Sequence, residues 1–158
     1  MEKIKRIALV AHDNRKKDLS EWVEHNWNTL SYHKIICTGT TGKMVEETIN
    51  KFILENGKKL VKITKLKSGP LGGDQQLGSM ISESLIDILI FFWDPMQPQP
   101  HDVDVKALMR IAVLYNIPVA MNRSSADFMI SSLLFEKEYH KMLKDYSGYI
   151  NRDYDIKE

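Results

Sequence analysis

Apolar residues along the chain gather in short unbroken runs: IALVA at 7–11, KIICT at 34–38, LVKIT at 60–64, IDILIFFW at 86–93 and IPVAM at 117–121. Runs of this length, rich in β-branched residues and bounded by polar or turn-forming positions, are the pattern of strands buried on both faces. Between them the spacing changes. Leu19, Trp22, Val23, Trp27 and Leu30 recur with a period near that of a helix, as do Val105, Leu108, Met109, Ala112 and Val113, which predicts amphipathic helices. Strands and helices alternating in this way predict an α/β domain, a doubly wound parallel sheet of about five strands with helices on both sides. No linker, repeat or low-complexity tract interrupts the 158 residues. One domain over 1–158 is therefore expected, large enough to bury about two-thirds of the surface of its unfolded chain.

That architecture predicts where chemistry sits. In open α/β sheets ligands bind beyond the carboxyl ends of the strands, where loops lead into helix N-termini. The unusual stretches fall there: AHDNRK (11–16), TGTTG (38–42), SGPLGGDQQ (68–76) and WDPMQPQPHDVD (93–104). Glycines let backbone approach a ligand closely, and successive N–H groups can turn inward as an anion cradle. A helix starting near Asp74 or Gln75, and another near Gly42, would each add N-terminal donors and a positive dipole end. Two such cradles, with hydroxyls from Ser68, Thr38, Thr40 and Thr41 and with Lys16 beside them, suit a phosphate monoester. Either cradle alone is also what an ordinary capped strand-to-helix turn looks like.

Asp74 stands directly behind one cradle, where a carboxylate is either a helix cap or a base. Asp13, Asp94, Asp102 and Asp104 share the same rim with His12 and His101, a candidate acid/base constellation. Two chemistries use these residue types. HDVD at 101–104, with His12 and Asp13, would bind a divalent metal and activate water. Alternatively a carboxylate takes a proton beside a carbonyl while a histidine polarises the oxygen, in a dry site whose donors hold the enediolate.

Composition narrows the classes. A net charge of +1 gives no broad basic field for nucleic acid. The opening MEKIKRIALVAH has too short an apolar run for a leader peptide, and no stretch approaches the ~20 apolar residues of a spanning helix. A cytoplasmic protein with no membrane partner is expected. The single cysteine, Cys37, excludes an internal disulfide and a multi-cysteine metal site, and is expected as a small buried apolar residue. His25, His33 and His140 are expected in surface or capping roles, and Trp22 and Trp27 in the core. Trp93 would wall the pocket, and the polar tail INRDYDIKE would fray.

The segments ALVAHD, TGTTG, SGPLGGDQQ, DILIFFWDP and PHDVDVKALMR, in this order, closely resemble the methylglyoxal synthase family over residues 4–122, and more weakly through ADFMI. The resemblance implies a flavodoxin-like domain assembling as a homohexamer. It implies conversion of dihydroxyacetone phosphate to methylglyoxal and inorganic phosphate with no metal or organic cofactor, and inhibition by inorganic phosphate. Position by position it makes Asp74 the proton-abstracting base and His101 the hydrogen-bonding partner of the enediolate oxygens. Asp104, and less directly Asp13 and Asp94, support the site. His12, Lys16, Thr38, Gly39, Thr40, Thr41, Ser68, Gly69 and His101 bind the substrate. Departures are a longer segment between TGTTG and SGPLGG, Val103 where the family has proline, and differences after Arg110. Arg152 matches a C-terminal phosphate-reaching arginine. The same fold also serves as a non-catalytic regulatory module in carbamoyl phosphate synthetase, so a phospho-ligand sensor is the alternative.

Overall fold

The computed structural model describes residues 1–57, 60–98 and 102–151. Strands β1 (Arg6–Ala11), β2 (Lys34–Thr38), β3 (Thr64–Leu66), β4 (Ile88–Phe92) and β5 (Val119–Ala120) lie in one sheet, ordered β3-β2-β1-β4-β5, and every pairing is parallel. Between them run α1 (Lys16–Leu30), α2 (Gly39–Glu55), α3 (Gly73–Ser82) and α4 (Asp102–Leu114), followed by α5 (Arg123–Ile130) and the short α6 (Ser147–Ile150). The chain steps outward from β1 through β2 to β3, then crosses back to place β4 against the other side of β1. With right-handed crossovers, that reversal sends α3 and α4 to the opposite face.

Alternate side chains of the central strands therefore feed two cores. Ile7, Leu9, Ile35, Cys37, Ile88, Ile90 and Phe92 pack against Leu19, Trp22 and Val23 of α1, Val45, Ile49 and Ile53 of α2, and Ala126 of α5. Ala8, Val10, Ile36, Leu89 and Phe91 pack against Leu77 and Ile81 of α3 and Val105, Leu108 and Ala112 of α4. Burying each large aliphatic side chain contributes about 1.5–3 kcal/mol, so neither face is dispensable. Trp22 is fully buried, and its indole N–H donates to Asp127 Oδ1 at 2.8 Å, which satisfies the one polar atom it carries into the core.

The doubly wound parallel class holds, with finer differences from expectation. The reversal falls between β1 and β4, giving the order 3-2-1-4-5, whereas a flavodoxin order, 2-1-3-4-5, reverses between its first and third strands. The third strand lies at Thr64–Leu66 instead of 60–64. Upstream of it, side chains of α2 take the place of a ladder: Asn50 both accepts from Val61 N–H and donates to its carbonyl, and Glu46 accepts from Ile63 N–H. α2 begins at Gly39 and α3 at Gly73, earlier than expected, and α4 begins at Asp102. The segment after TGTTG forms α2, whose 17 residues carry it about 25 Å away from the rim. His33 is buried, 8% exposed, and not at the surface; it accepts from Lys5 N–H at 3.1 Å through Nδ1. Among the described residues no helix is long and apolar enough to cross a membrane.

Candidate active site

Where β1, β2 and β3 end, the chain turns into helices around a cavity of about 360 Å³. Val10, Ala11 and Phe91 form its apolar floor. Its walls are His12, Asp13 and Lys16 after β1, Thr38 to Thr41 after β2, and Ser68, Gly69, Pro70 and Asp74 after β3. This gathers ten of the residues singled out in the sequence into one space.

The two glycine-bearing turns are built against each other. Gly39 has φ +43°, and a Cβ there would stand 2.8 Å from Ser68 Cβ and 2.9 Å from Ser68 Cα; its N–H donates to Lys67 O at 3.1 Å. With that amide engaged, Thr40 and Thr41 supply the first-turn donors of α2 that no helix carbonyl can reach. On the other turn Gly73 N–H and Leu71 N–H both donate to Ser68 O, at 2.9 and 3.0 Å. A Cβ on Gly73 would meet Lys67 O at 2.2 Å, so only glycine fits. Gln76 Oε1 accepts from Lys67 N–H at 2.8 Å and pins the same strand end to α3.

Asp74 is not a cap. The N-cap of α3 is Gly72, without a side-chain bond, and Asp74 occupies the helix's first turn, 3% exposed and lining the cavity. It stands at the positive end of the α3 dipole. Lys16 is the first residue of α1, where the same dipole disfavours a cation. Its Nζ donates to Asp13 Oδ1 and to Thr40 Oγ1, so the ammonium is held between the first and second turns with Asp13 as counter-ion.

His12 closes the β1 end of the cavity. It is 5% exposed, stands edge-on to Phe91 with ring centroids 5.1 Å apart, and accepts from Asp94 N–H at 3.3 Å through Nδ1. A neutral imidazole accepting at Nδ1 carries its proton on Nε2, which makes that nitrogen a donor. Asp94 itself sits behind His12 and does not line the cavity. Its carboxylate accepts from Met96 N–H at 3.0 Å and from Asn14 Nδ2 at 3.1 Å; these two hydrogen bonds, the backbone one first, hold its pKa below the usual carboxylate value. Asp104 lies in the first turn of α4, away from the cavity lining. Trp93 is part-exposed and likewise outside that lining. His101 and Arg152 lie outside the described residues, as does the polar tail from 152 onward. Among the described residues no group of three His, Cys, Asp or Glu side chains is gathered as a metal site would be.

Sequence reasoning passed over Asn14 and Gln76. Both occur inside stretches it quoted, but each acts through a partner distant in the chain, Asp94 and Lys67, and no local spacing marks such a pair.

Comparison with known proteins bears on this rim. A family model described as an MGS-like domain matches residues 18–121, more than half of the chain. Methylglyoxal synthase of Maridesulfovibrio salexigens is 58% identical over 155 residues, covering 96% of this chain and 99% of that protein. Methylglyoxal synthase of Coxiella burnetii is 52% identical over 149 residues, covering 94% and 97%. The crystal structure of methylglyoxal synthase from Elizabethkingia anophelis superposes with a TM-score of 0.87 at 48% identity, covering 99% of this chain and 97% of that one.

Proposed function

The chain belongs to the methylglyoxal synthase family, and from that premise we propose that it converts dihydroxyacetone phosphate to methylglyoxal and inorganic phosphate with Asp74 as the base. The observation that carries this reading is the position of Asp74: a nearly buried carboxylate lining the same cavity as two interlocked anion cradles. Thr40 and Thr41 amides, Lys16, Ser68 and Gly69 hold the phosphate, with Thr38 and Gly39 shaping the turn. That anchor sets the substrate's carbon beside Asp74, which takes a proton next to the ketone. The C–H electrons form an enediolate whose oxygens accept hydrogen bonds from His12 Nε2–H and, by the resemblance, from His101. Asp13, Asp94 and Asp104 support these groups.

The cradle then decides the product. If the carbon–oxygen bond to phosphate stands parallel to the π system, the enediolate electrons expel phosphate and that bond breaks. The released enol takes a proton and becomes methylglyoxal. A positioned general base is worth about 10²–10⁴-fold, and each oxyanion donor about 10²–10³-fold.

Inorganic phosphate shares the chemistry of the cradle's ligand, so inhibition by it belongs to this reading. Assembly as a homohexamer is proposed on the resemblance, supported by exposed apolar side chains at Val113, Phe128 and Leu133. A single domain over 1–158, a cytoplasmic location and the absence of nucleic-acid or membrane partners complete the proposal.

The test is a proton NMR time course with dihydroxyacetone phosphate in EDTA, for the wild type and Asp74→Asn. The expected result is methylglyoxal from the wild type, and a rate at least 100-fold lower in the variant with phosphate binding retained, on the order set for a general base. Formation of dihydroxyacetone and phosphate, or turnover only on adding a divalent metal, would overturn the elimination. Phosphate binding without any turnover would leave a sensor.

A further inference from the structure

The residue that organises the β1–β4 side of the rim has no assigned role. Asn14 follows His12 and Asp13 and lies in an exposed turn outside both cores. Both donors of its amide are engaged across the switch point, one on Asp94 Oδ2 at 3.1 Å and one on Gln97 Oε1 at 2.5 Å. Asp94 is in turn bound from three directions: Asn14 on one oxygen, its own loop's Met96 N–H on the other, and its backbone N–H directed at His12 Nδ1. A carboxylate fixed at both oxygens cannot swing, and the peptide that carries it cannot turn its N–H away from the imidazole.

We propose that Asn14 is a positioning residue for the reaction, holding the Asp94 loop so that His12 keeps its proton on Nε2, toward the cavity. The inference rests on the function proposed above for its effect on rate, but not for its effect on His12. Without the Asn14 amide the 93–97 loop keeps its internal Met96 bond and the long Trp93 N–H bond to Met121 O at 3.4 Å, and no described side chain then ties the Asp94 carboxylate to the β1 turn. Asp94 N–H then no longer holds Nδ1 as an acceptor, and the imidazole distributes its proton between both nitrogens. An Asn at this position is worth more than a generic loop residue because only a side chain with two donors can bind Asp94 and Gln97 together.

The experiment uses full-length wild type, Asn14→Ala and Asn14→Asp, with His12→Gln to assign the imidazole signals. Long-range proton–nitrogen NMR reads the His12 tautomer in the free protein. Turnover of dihydroxyacetone phosphate is followed from pH 5 to 8. For Asn14→Ala the expected result is a mixed His12 tautomer and kcat/KM lower by about 10-fold, a part of the roughly 10²–10³-fold that an oxyanion donor supplies, with the denaturant midpoint lowered only slightly because Asn14 is exposed. Asn14→Asp places a second carboxylate beside Asp94, where Arg15 and His12 are the other charged or titratable neighbours. When the pair shares a proton, the new carboxyl donates as the amide did; when both are ionised they repel. Its rate relative to wild type therefore falls as pH rises, while the ratio for Asn14→Ala stays flat. A wild-type tautomer in Asn14→Ala overturns the inference, and so does a changed tautomer with wild-type kcat/KM. If the wild type itself forms no methylglyoxal, the proposed function fails, and the tautomer measurement still decides the role of Asn14.

Discussion

Two glycines on one helix should respond to the same substitution with opposite signs. At Gly73, the first residue of α3, an added Cβ lies 2.2 Å from Lys67 O and 2.9 Å from the Ser68 carbonyl carbon and oxygen. All three are backbone atoms, so no rotamer change relieves the clash, and α3 must separate from the Ser68 turn by about 1 Å, an overpacking cost of about 1–3 kcal/mol. The same movement stretches the Gly73 N–H to Ser68 O bond, now 2.9 Å, which adds about 1 kcal/mol. Gly73→Ala should therefore lose about 2–4 kcal/mol, or roughly 5–15 °C in Tm for a domain of this size. At Gly78, inside the same helix, nothing lies within 4 Å of the added methyl. There alanine restricts the unfolded chain and stabilises by about 0.5–1 kcal/mol. Urea unfolding followed by circular dichroism, at one fixed protein concentration, measures both. Because Asp74 follows Gly73 directly and Ser68 lines the cavity, displacement on the order of 1 Å should also lower kcat about 100-fold in the first variant alone. The reasoning is refuted if Gly73→Ala unfolds within about 0.5 kcal/mol of the wild type, the range of an ordinary surface change.

Three further expectations follow from buried groups. Burial first, and Lys5 second, hold the His33 pKa below the ordinary histidine value; the unfolded chain thus binds the proton more readily, and stability falls as pH drops below about 6.5. His33→Gln should flatten the change in urea midpoint between pH 7.5 and 5. Burial would raise the Asp87 carboxyl, but hydrogen bonds from Arg6 N–H, Nε and the guanidinium outweigh it and hold the pKa below normal. Its contribution is present above about pH 4 and lost as pH falls through the folded value; Asp87→Asn should cost about 2 kcal/mol at pH 7, reduced from a fully buried pair because Arg6 is partly exposed. Burial pushes the Cys37 thiol up, so a thiol reagent should modify it no faster than the chain unfolds, and rapid labelling of the native protein would contradict the packing around β2.

What could be read from the chain divides along a physical line. Unbroken apolar runs marked β1, β2 and β4 because central parallel strands are buried on both faces, and their composition records that directly; of the run at 117–121 only Val119–Ala120 forms the edge strand β5. β3 was displaced because side chains of α2 take the backbone groups just before it: Val61 is held by Asn50 and Ile63 by Glu46, a substitution of side chains for backbone that leaves no trace in periodicity. The rim stretches were visible because close backbone approach demands glycine and an anion demands hydroxyls and lysine, requirements local to each turn. Their mutual arrangement was not. That Gly39 must be glycine because Ser68 lies against it, that Asp74 stands inside its helix and not at its cap, and that His33 is buried as an acceptor for Lys5 are relations between distant segments. The order of strands belongs with these: it reverses between β1 and β4, which brings the loop carrying His12 beside the loop carrying Asp94. The chemical inventory of the rim is thus written turn by turn, while the tautomer of its histidine is set by the crossing that joins the fourth strand to the first.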